Sequence, residues 1–549
     1  MSVDIIKDMK KGVIIILTMS LLSVVLAAEK TVQMLSGECW WGLCSNFGRQ
    51  MPFTAKTDFK CDLRVSSYGH QSMSLLVSNK GRALWCNEPV EATILDGRIK
   101  FVSDGSEIIL ETVGTTLADA FHYAASHWFP SSGDLPDLLY FTAPQLNTWI
   151  ELTYNQNEKD ILRYARAMKE NGVPPGIFMI DDTWQIGYGV WDFDRRRFDD
   201  PKSMVAKLHE MGYKVLLWMC PYVSMDCPAY RFLEYGVSPD TCKKLERGGF
   251  VMEMKSRNAA AVDWWNGRSA LLDFSHRNGS RWFEGELDRL VKAYGIDGFK
   301  FDGNGVEGYC GFRPSQKGLA PWRQNDMYVS LALKYKGSEI RGAFGLGGKP
   351  VAVRLLDKSH KWSALNRLIP DMLAAGMIGC PFVCPDMIGG GQWVTFLPGS
   401  PFEPELFIRS AQVHALSPMM QISASPWRVL DKKYQAIFKS IIDLRQRFVP
   451  RIEKLVRHSA KSGEPIMRSL EYVFPNRGYS EIKDQFMVGD DLLVAPVLEK
   501  GAKYREVVLP PGEWIADDGQ MFTGNCRILV STPIERLPYF VLNAKGEKK

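Results

Sequence analysis

Four short apolar runs in the middle of the chain end in aspartate. Ile177-Phe178-Met179-Ile180 leads into Asp181-Asp182 and Gly298-Phe299-Lys300-Phe301 into Asp302, while runs 351–356 and 381–385 lead into Asp357 and Asp386. A single aspartate at a strand end is ordinarily a helix N-cap. Four of them at the ends of strands of one barrel can share one rim. Paired carboxylates suit glycoside chemistry: one attacks or stabilises an oxocarbenium-like centre, and a second, kept protonated, gives its proton to the leaving oxygen. Trp184, Trp191, Trp218, Trp362 and Trp393 fall among these aspartates, and indole faces stack on the apolar faces of a sugar ring. The same carboxylates also fit a magnesium site, so the residue types alone leave both chemistries open.

The elements that must carry these residues follow from a change of period. After Thr148, apolar runs alternate with helical stretches: strands at 149–154, 176–181, 214–219, 270–274 and 298–302, further strands ending near Arg341, Asp357 and Asp386, and helices at 158–171, 201–211 and 280–294, with the last helices running to about Arg451. About eight strands in parallel β/α units predict a closed (β/α)8 barrel rather than a doubly wound sheet, with chemistry at the strand ends. Residues 29–140 show short alternating runs broken by Gly, Asn and Asp, the texture of a β-sandwich. The barrel is placed at 141–460 and an antiparallel β domain at 461–549.

Composition narrows the class. In 549 residues, 46% hydrophobic and 23% charged, there is enough apolar material for a large core, which excludes disordered, collagenous and coiled-coil chains. A net charge of +5 over this length gives no electrostatic case for nucleic acid. Lys7, Lys10 and Lys11 precede an apolar run at 12–26 that ends in Ala27-Ala28, so residues 1–28 read as an export signal and the mature chain as periplasmic or secreted, with no membrane association after cleavage. Cys39 with Cys44, or Cys61 with Cys86, are candidate disulfides, and the odd total of 11 Cys leaves at least one thiol over. With no CxxC pair and 8 scattered His, no metal site and no cofactor are expected. The sequence is compatible with an oligomer.

The stretch 295–304, Gly-Ile-Asp-Gly-Phe-Lys-Phe-Asp-Gly-Asn, resembles the nucleophile strand of glycoside hydrolase family 31. Arg341-Gly342-Ala343-Phe344, Asp357 sixteen residues on, and Asp386-Met387-Ile388-Gly389-Gly390 after twenty-nine more resemble that family's arginine, acid/base and DIGG segments. Segment 484–497 resembles its C-terminal β-domain signature. The resemblance implies a retaining exo-acting α-glycosidase with Asp302 as nucleophile and Asp357 as acid/base. It makes Asp181, Lys300, Arg341 and Asp386 sugar-binding or supporting residues, and Trp362 falls on a usual aromatic position. Two positions depart from the pattern: Arg354-Leu355-Leu356 replaces the usual Trp-(Ser/Gly)-Gly, and Ser423 stands where a His is expected.

Asp181-Asp182-Thr183-Trp184 with Lys300-Phe301-Asp302 is also similar to the DD-x-W and K-x-D segments of clan D α-galactosidases. That similarity implies a terminal α-galactoside as substrate, with α-glucoside or α-xyloside as the alternative. A transglycosidase, or a catalytically silent carbohydrate-binding protein on the same fold, is a further reading. Asp181, Asp182, Trp184, Trp218, Lys300, Arg341, Trp362 and Asp386 are the expected sugar contacts. Trp40 and Trp41, in the aromatic segment 39–48, are expected to reach the barrel mouth from the N-terminal domain.

Overall fold

The computed structural model describes residues 27–236, 247–303, 305–397 and 399–543. The segment read as an export signal lies outside them except for its last two residues. Eight strands, β1 (Gln145–Asn147), β2 (Ile177–Ile180), β3 (Lys214–Met219), β4 (Gly298–Phe301), β5 (Glu339–Ile340), β6 (Ala352–Arg354), β7 (Val383–Cys384) and β8 (Gln421–Ile422), pair in parallel in the order β7-β6-β5-β4-β3-β2-β1-β8. A bridge between Met387 and Gln421 joins the two ends of that order and closes the barrel. Strands covered on both faces need apolar residues throughout, and β2 and β4 are buried at every position.

Among the described residues, the helices that wrap the ring include α1 (Glu158–Glu170), α2 (Pro201–Glu210), α3 (Arg277–Tyr294), α4 (Pro321–Ser330), α5 (Trp362–Met377), α6 (Pro404–Ala415) and α7 (Lys432–Ser462). Their starts are legible. Asn157 accepts from the Asp160 amide to cap α1, and Asp200 accepts from Ser203 to cap α2 with Pro201 in the first turn. Between β5 and β6 the described segment 341–351 is not helical. It is rich in Gly, which disfavours a helix, and its Ala343–Phe344 pairs with Gln71–Ser72 of the N-terminal domain.

Two expected strands change identity. Residues 149–152 form a helical turn, Trp149–Leu152, and β1 lies just before it. The expected strand at 270–274 belongs to an antiparallel hairpin, Ala261–Trp264 with Gly267–Leu271, which also pairs with Tyr222–Val223 outside the barrel. Short apolar runs do not reveal by period alone which element they enter.

The N-terminal domain packs two antiparallel sheets, one built on Ala28–Gln33, Phe59–Asp62, Glu91–Leu95 and Arg98–Ser103, the other on Trp40–Cys44, Gln71–Ser78, Arg82–Trp85 and Ile109–Thr112. The expectation for Trp40 and Trp41 is corrected here. Both lie on Trp40–Cys44, only 0% and 7% exposed, Trp40 under the Arg82 guanidinium and Trp41 facing Pro370 and Leu373 of α5. A strand this apolar is covered by the barrel helix and has no freedom to reach the mouth. Trp41→Ala should therefore lower unfolding free energy by about 3–5 kcal/mol and leave kcat and KM unchanged, a pair of results that denaturant melts and steady-state kinetics will check.

The described cysteines are free thiols, so neither Cys39–Cys44 nor Cys61–Cys86 is a disulfide; Cys44, Cys61 and Cys86 are buried as small hydrophobes. The C-terminal domain centres on an antiparallel six-stranded sheet from Met467 to Leu542, with Trp514, Phe540 and Leu493 in its own core. Among the described residues no helix is long and apolar enough to cross a membrane.

Candidate active site

The carboxyl ends of β2 to β6 converge on a cavity of about 300 Å³ lined by Asp181, Asp182, Trp218, Lys300, Asp302, Arg341 and Asp357, together with Trp149, Tyr154, Trp265, Leu356 and Trp393. Seven of the twelve expected site residues are thus brought together. Their common origin is the barrel: a side chain at the last position of a strand, or just after it, points into the mouth.

Asp302 follows β4. Its Oδ1 takes the Arg341 fork, Nε and Nη2 each at 2.8 Å, and its Oδ2 accepts from the Trp218 indole at 3.2 Å. Lys300 Nζ and Arg354 Nη2 stand 4.0 and 3.9 Å from Oδ2. Burial opposes charge on this carboxyl, but Arg341, Lys300 and Arg354 together outweigh it and hold Asp302 well below the usual carboxylate range. An ionised carboxylate fixed by a two-pronged arginine is oriented for attack. Tyr328 Oη shares its one proton between the Asp302 and Met219 carbonyls, each 2.9 Å away, tying the β4 end to β3.

Lys300 is 4% exposed and its Nζ lies 2.7 Å from Asp181 Oδ2, whose side chain is equally buried. Asp182 is heavily engaged: its Oδ1 accepts from Gln185 at 3.1 Å and from the Thr183 amide at 2.7 Å, Tyr188 Oη donates to both oxygens, and Asn266 Nδ2 donates to Oδ2 at 2.9 Å. Burial raises this carboxyl to about 6. With so many donors already placed, Asp182 has less acceptor capacity left for a ligand than the sequence pattern suggests.

Asp357 stands three residues past Arg354 with its side chain 38% exposed at the cavity. Arg354 Nη1 contacts Asp357 Oδ1 at 2.5 Å and Asp386 Oδ1 at 3.2 Å. Asp386 does not line the cavity. It is fully buried with φ +110°, and its Oδ2 accepts from the amides of Lys358 and Gly391. Such a strained, saturated carboxylate shapes the β6 and β7 loops from beneath.

Trp184 and Trp362 are also placed elsewhere. Thr183 turns the chain through a left-handed conformation, so Trp184 is fully buried and donates to Trp218 O at 2.9 Å, leaving Tyr188 beside Asp182. Trp362 opens α5 and donates to Glu403. Ser423, where a His was expected, accepts from the Ile150 amide at 2.7 Å.

Several contributors have no motif of their own in the sequence. Trp265 sits at the turn of the 261–271 hairpin and is 52% exposed. Tyr154 packs between Trp149 and Trp393, with ring centroids 5.6 and 5.7 Å away. The N-terminal domain does support the site, through residues other than the expected tryptophans: Gln71 Nε2 donates to the carbonyls of Arg341 and Arg354, and His70 Nε2 accepts from the Leu356 amide. Only folding joins these positions, which lie more than 200 residues apart.

A barrel with a buried carboxylate after its fourth strand and a second, more exposed one after its sixth defines the class. Residues 143–331 and 341–455 match the glycosyl hydrolases family 31 TIM-barrel domain, and residues 463–544 match the family 31 C-terminal domain. The chain belongs to glycosyl hydrolase family 31. It is 31% identical over 440 residues to the mouse myogenesis-regulating glycosidase, covering 77% of this chain and 59% of that protein. It is 26% identical over 418 residues to alpha-glucosidase 2 of Bacillus thermoamyloliquefaciens, covering 70% and 50%. The chain thus spans about half the length of the curated relatives it matches. Among solved structures, the Flavobacterium johnsoniae GH31 dextranase complexed with glucose superposes with a TM-score of 0.80 at 19% identity, over 94% of this chain and 66% of that one. A GH31 alpha-xylosidase from a soil metagenome complexed with xylose gives 0.79 at 20%, over 94% and 79%. These two likenesses are of fold.

Proposed function

We propose that this protein is a retaining exo-α-glycosidase that removes a terminal sugar in two displacements. The observation that carries this reading is the ionised Asp302, oriented by Arg341 and Trp218, in one small cavity with the half-exposed Asp357. In the first step an Asp302 oxygen bonds to the anomeric carbon as the glycosidic C–O bond breaks, and Asp357 gives its proton to the leaving oxygen. In the second, water adds to the anomeric carbon, Asp357 takes its proton, and Asp302 leaves as a carboxylate. Neither step needs a Lewis acid, so the rate should be unchanged by EDTA; loss on chelation and recovery with Mg²⁺ would reveal a metal requirement. A sugar hydroxyl in place of water would make the second step a transglycosylation.

α-Glucosides and α-xylosides are the first substrates this reading supports, because relatives whose names state a sugar include alpha-glucosidase 2 and the alpha-xylosidase XylQ of Lactiplantibacillus pentosus. One observation favours a second reading, an α-galactoside: Asp181 and Asp182 both line the cavity, with Lys300 on Asp181. An axial O4 needs its partner on a different side of the pocket from an equatorial one, and a wrong match leaves buried polar groups unpaired. Purified protein assayed on aryl α-glucoside, α-xyloside and α-galactoside separates the two readings by kcat/KM. Faster glucoside or xyloside cleavage removes the galactoside reading; faster galactoside cleavage, lost in Asp182→Ala, establishes it. The basic and apolar N-terminus supports an exported enzyme.

A further inference from the structure

The site contains a buried arginine at a position that departs from the family pattern. Arg354, 1% exposed, ends β6, and its guanidinium faces four carboxyls: Asp357 at 2.5 Å, Asp386 at 3.2 Å, Glu339 at 3.3 Å and Asp302 at 3.9 Å. A usual Trp at this place would contribute bulk and no charge. A single Nη1 here is shared by Asp357 and by the strained Asp386.

Lys300 (β4), Arg341 (after β5) and Arg354 (β6) bring three positive charges to this centre. Asp181 (after β2), Asp302 (after β4), Glu339 (β5), Asp357 (after β6) and Asp386 (after β7) bring five acidic groups. Lys358 is turned to Asp371, and His70 behind Leu356 is kept neutral by burial. Burial pushes Glu339 to about 7 and Asp386 to about 6. Asp357 moves the other way: burial opposes its charge, but Arg354 first and then Lys300 and Arg341 hold it below the usual carboxylate range. The group that must donate a proton is thus held in its ionised form by its own strand neighbour.

We propose that Arg354 is a positioning residue for both displacements: its guanidinium bridges Asp357 to Asp386 in the resting pocket, so that Asp357 gives a proton only when this bridge opens, and it holds the same carboxyl in place for the water proton once Asp302 carries the sugar. The inference rests on the glycosidase reading. Its consequence is an opposition between the steps. Protonation of the leaving group is held to low pH, whereas in the glycosyl-enzyme the Arg354 Nη1 contact keeps the Asp357 carboxylate oriented and unprotonated for removal of the water proton.

The test is the pH dependence of wild type, Arg354→Gln and Arg354→Lys on two aryl α-glycosides, one with a poor and one with a good leaving group. For the poor leaving group, the alkaline limb of kcat/KM should move up by about one pH unit or more in Arg354→Gln, and by less in Arg354→Lys, whose ammonium keeps the charge but cannot bridge two carboxyls. For the good leaving group, kcat and KM should fall together, by about ten-fold, as glycosyl-enzyme accumulates. An unmoved alkaline limb in both variants, with only a lowered melting temperature, overturns the proposal. If Arg354→Gln does not fold, an unmoved limb in Arg354→Lys does so. Wild type inactive on every α-glycoside would instead sink the functional reading itself.

Discussion

Asp302→Ala is expected to lower turnover of any α-glycoside substrate by about 10⁴-fold or more. Asp302→Asn, nearly isosteric, should do the same while keeping the melting transition close to wild type. The loss is chemical: among the described residues no other carboxylate accepts from both Arg341 and Trp218. The alanine variant also leaves an empty position facing Arg341, Lys300 and Arg354, a place made for an anion. Azide should enter it and restore a measurable rate, giving a glycosyl azide of inverted configuration. Wild-type activity in either variant would remove Asp302 from the reaction.

Asp357→Ala is expected to have a different signature. Loss of general acid–base help costs about 10²–10⁴-fold, concentrated on substrates whose leaving group needs a proton, so an aryl glycoside with a good leaving group should be spared in its first step. Azide should then intercept the glycosyl-enzyme and give a product of retained configuration. Uniform loss across leaving groups, with no response to azide, would place the acid/base elsewhere. The half-exposed position of Asp357 makes a folding defect a poor explanation for such a pattern, since little buried surface is lost with it.

The barrel was legible because its strands end as strongly apolar runs with an acid after them; of those acids Asp181, Asp182, Asp302 and Asp357 line the cavity, whereas Asp386, which follows its run just as directly, does not. Strand-end position specifies direction for a residue at that end, and much less for a residue a few positions later. Trp184 and Trp362 illustrate this: a left-handed Thr183 and the start of α5 turn them away from the mouth. Asp386 is carried by its own positive φ into the layer below. Trp40 and Trp41 were misplaced because aromatic density reads the same for a sugar wall and for a domain interface. Trp265, Asn266 and the Gln71 contacts were invisible, since a hairpin turn and a neighbouring domain bring them to the site with no local period or motif to mark them. Arg354 was visible as a departure, but its four carboxyl neighbours come from separate strands and appear only in the closed ring.

The most direct measurement is to trap the covalent intermediate. Wild-type protein treated with an activated 5-fluoro-α-glycosyl fluoride of its preferred sugar, then digested and mapped by mass spectrometry, should carry one sugar on the peptide that contains Asp302, and the label should be absent in Asp302→Asn. A label on another carboxylate, or an active enzyme that accumulates none while releasing product of inverted configuration, would contradict the double-displacement account.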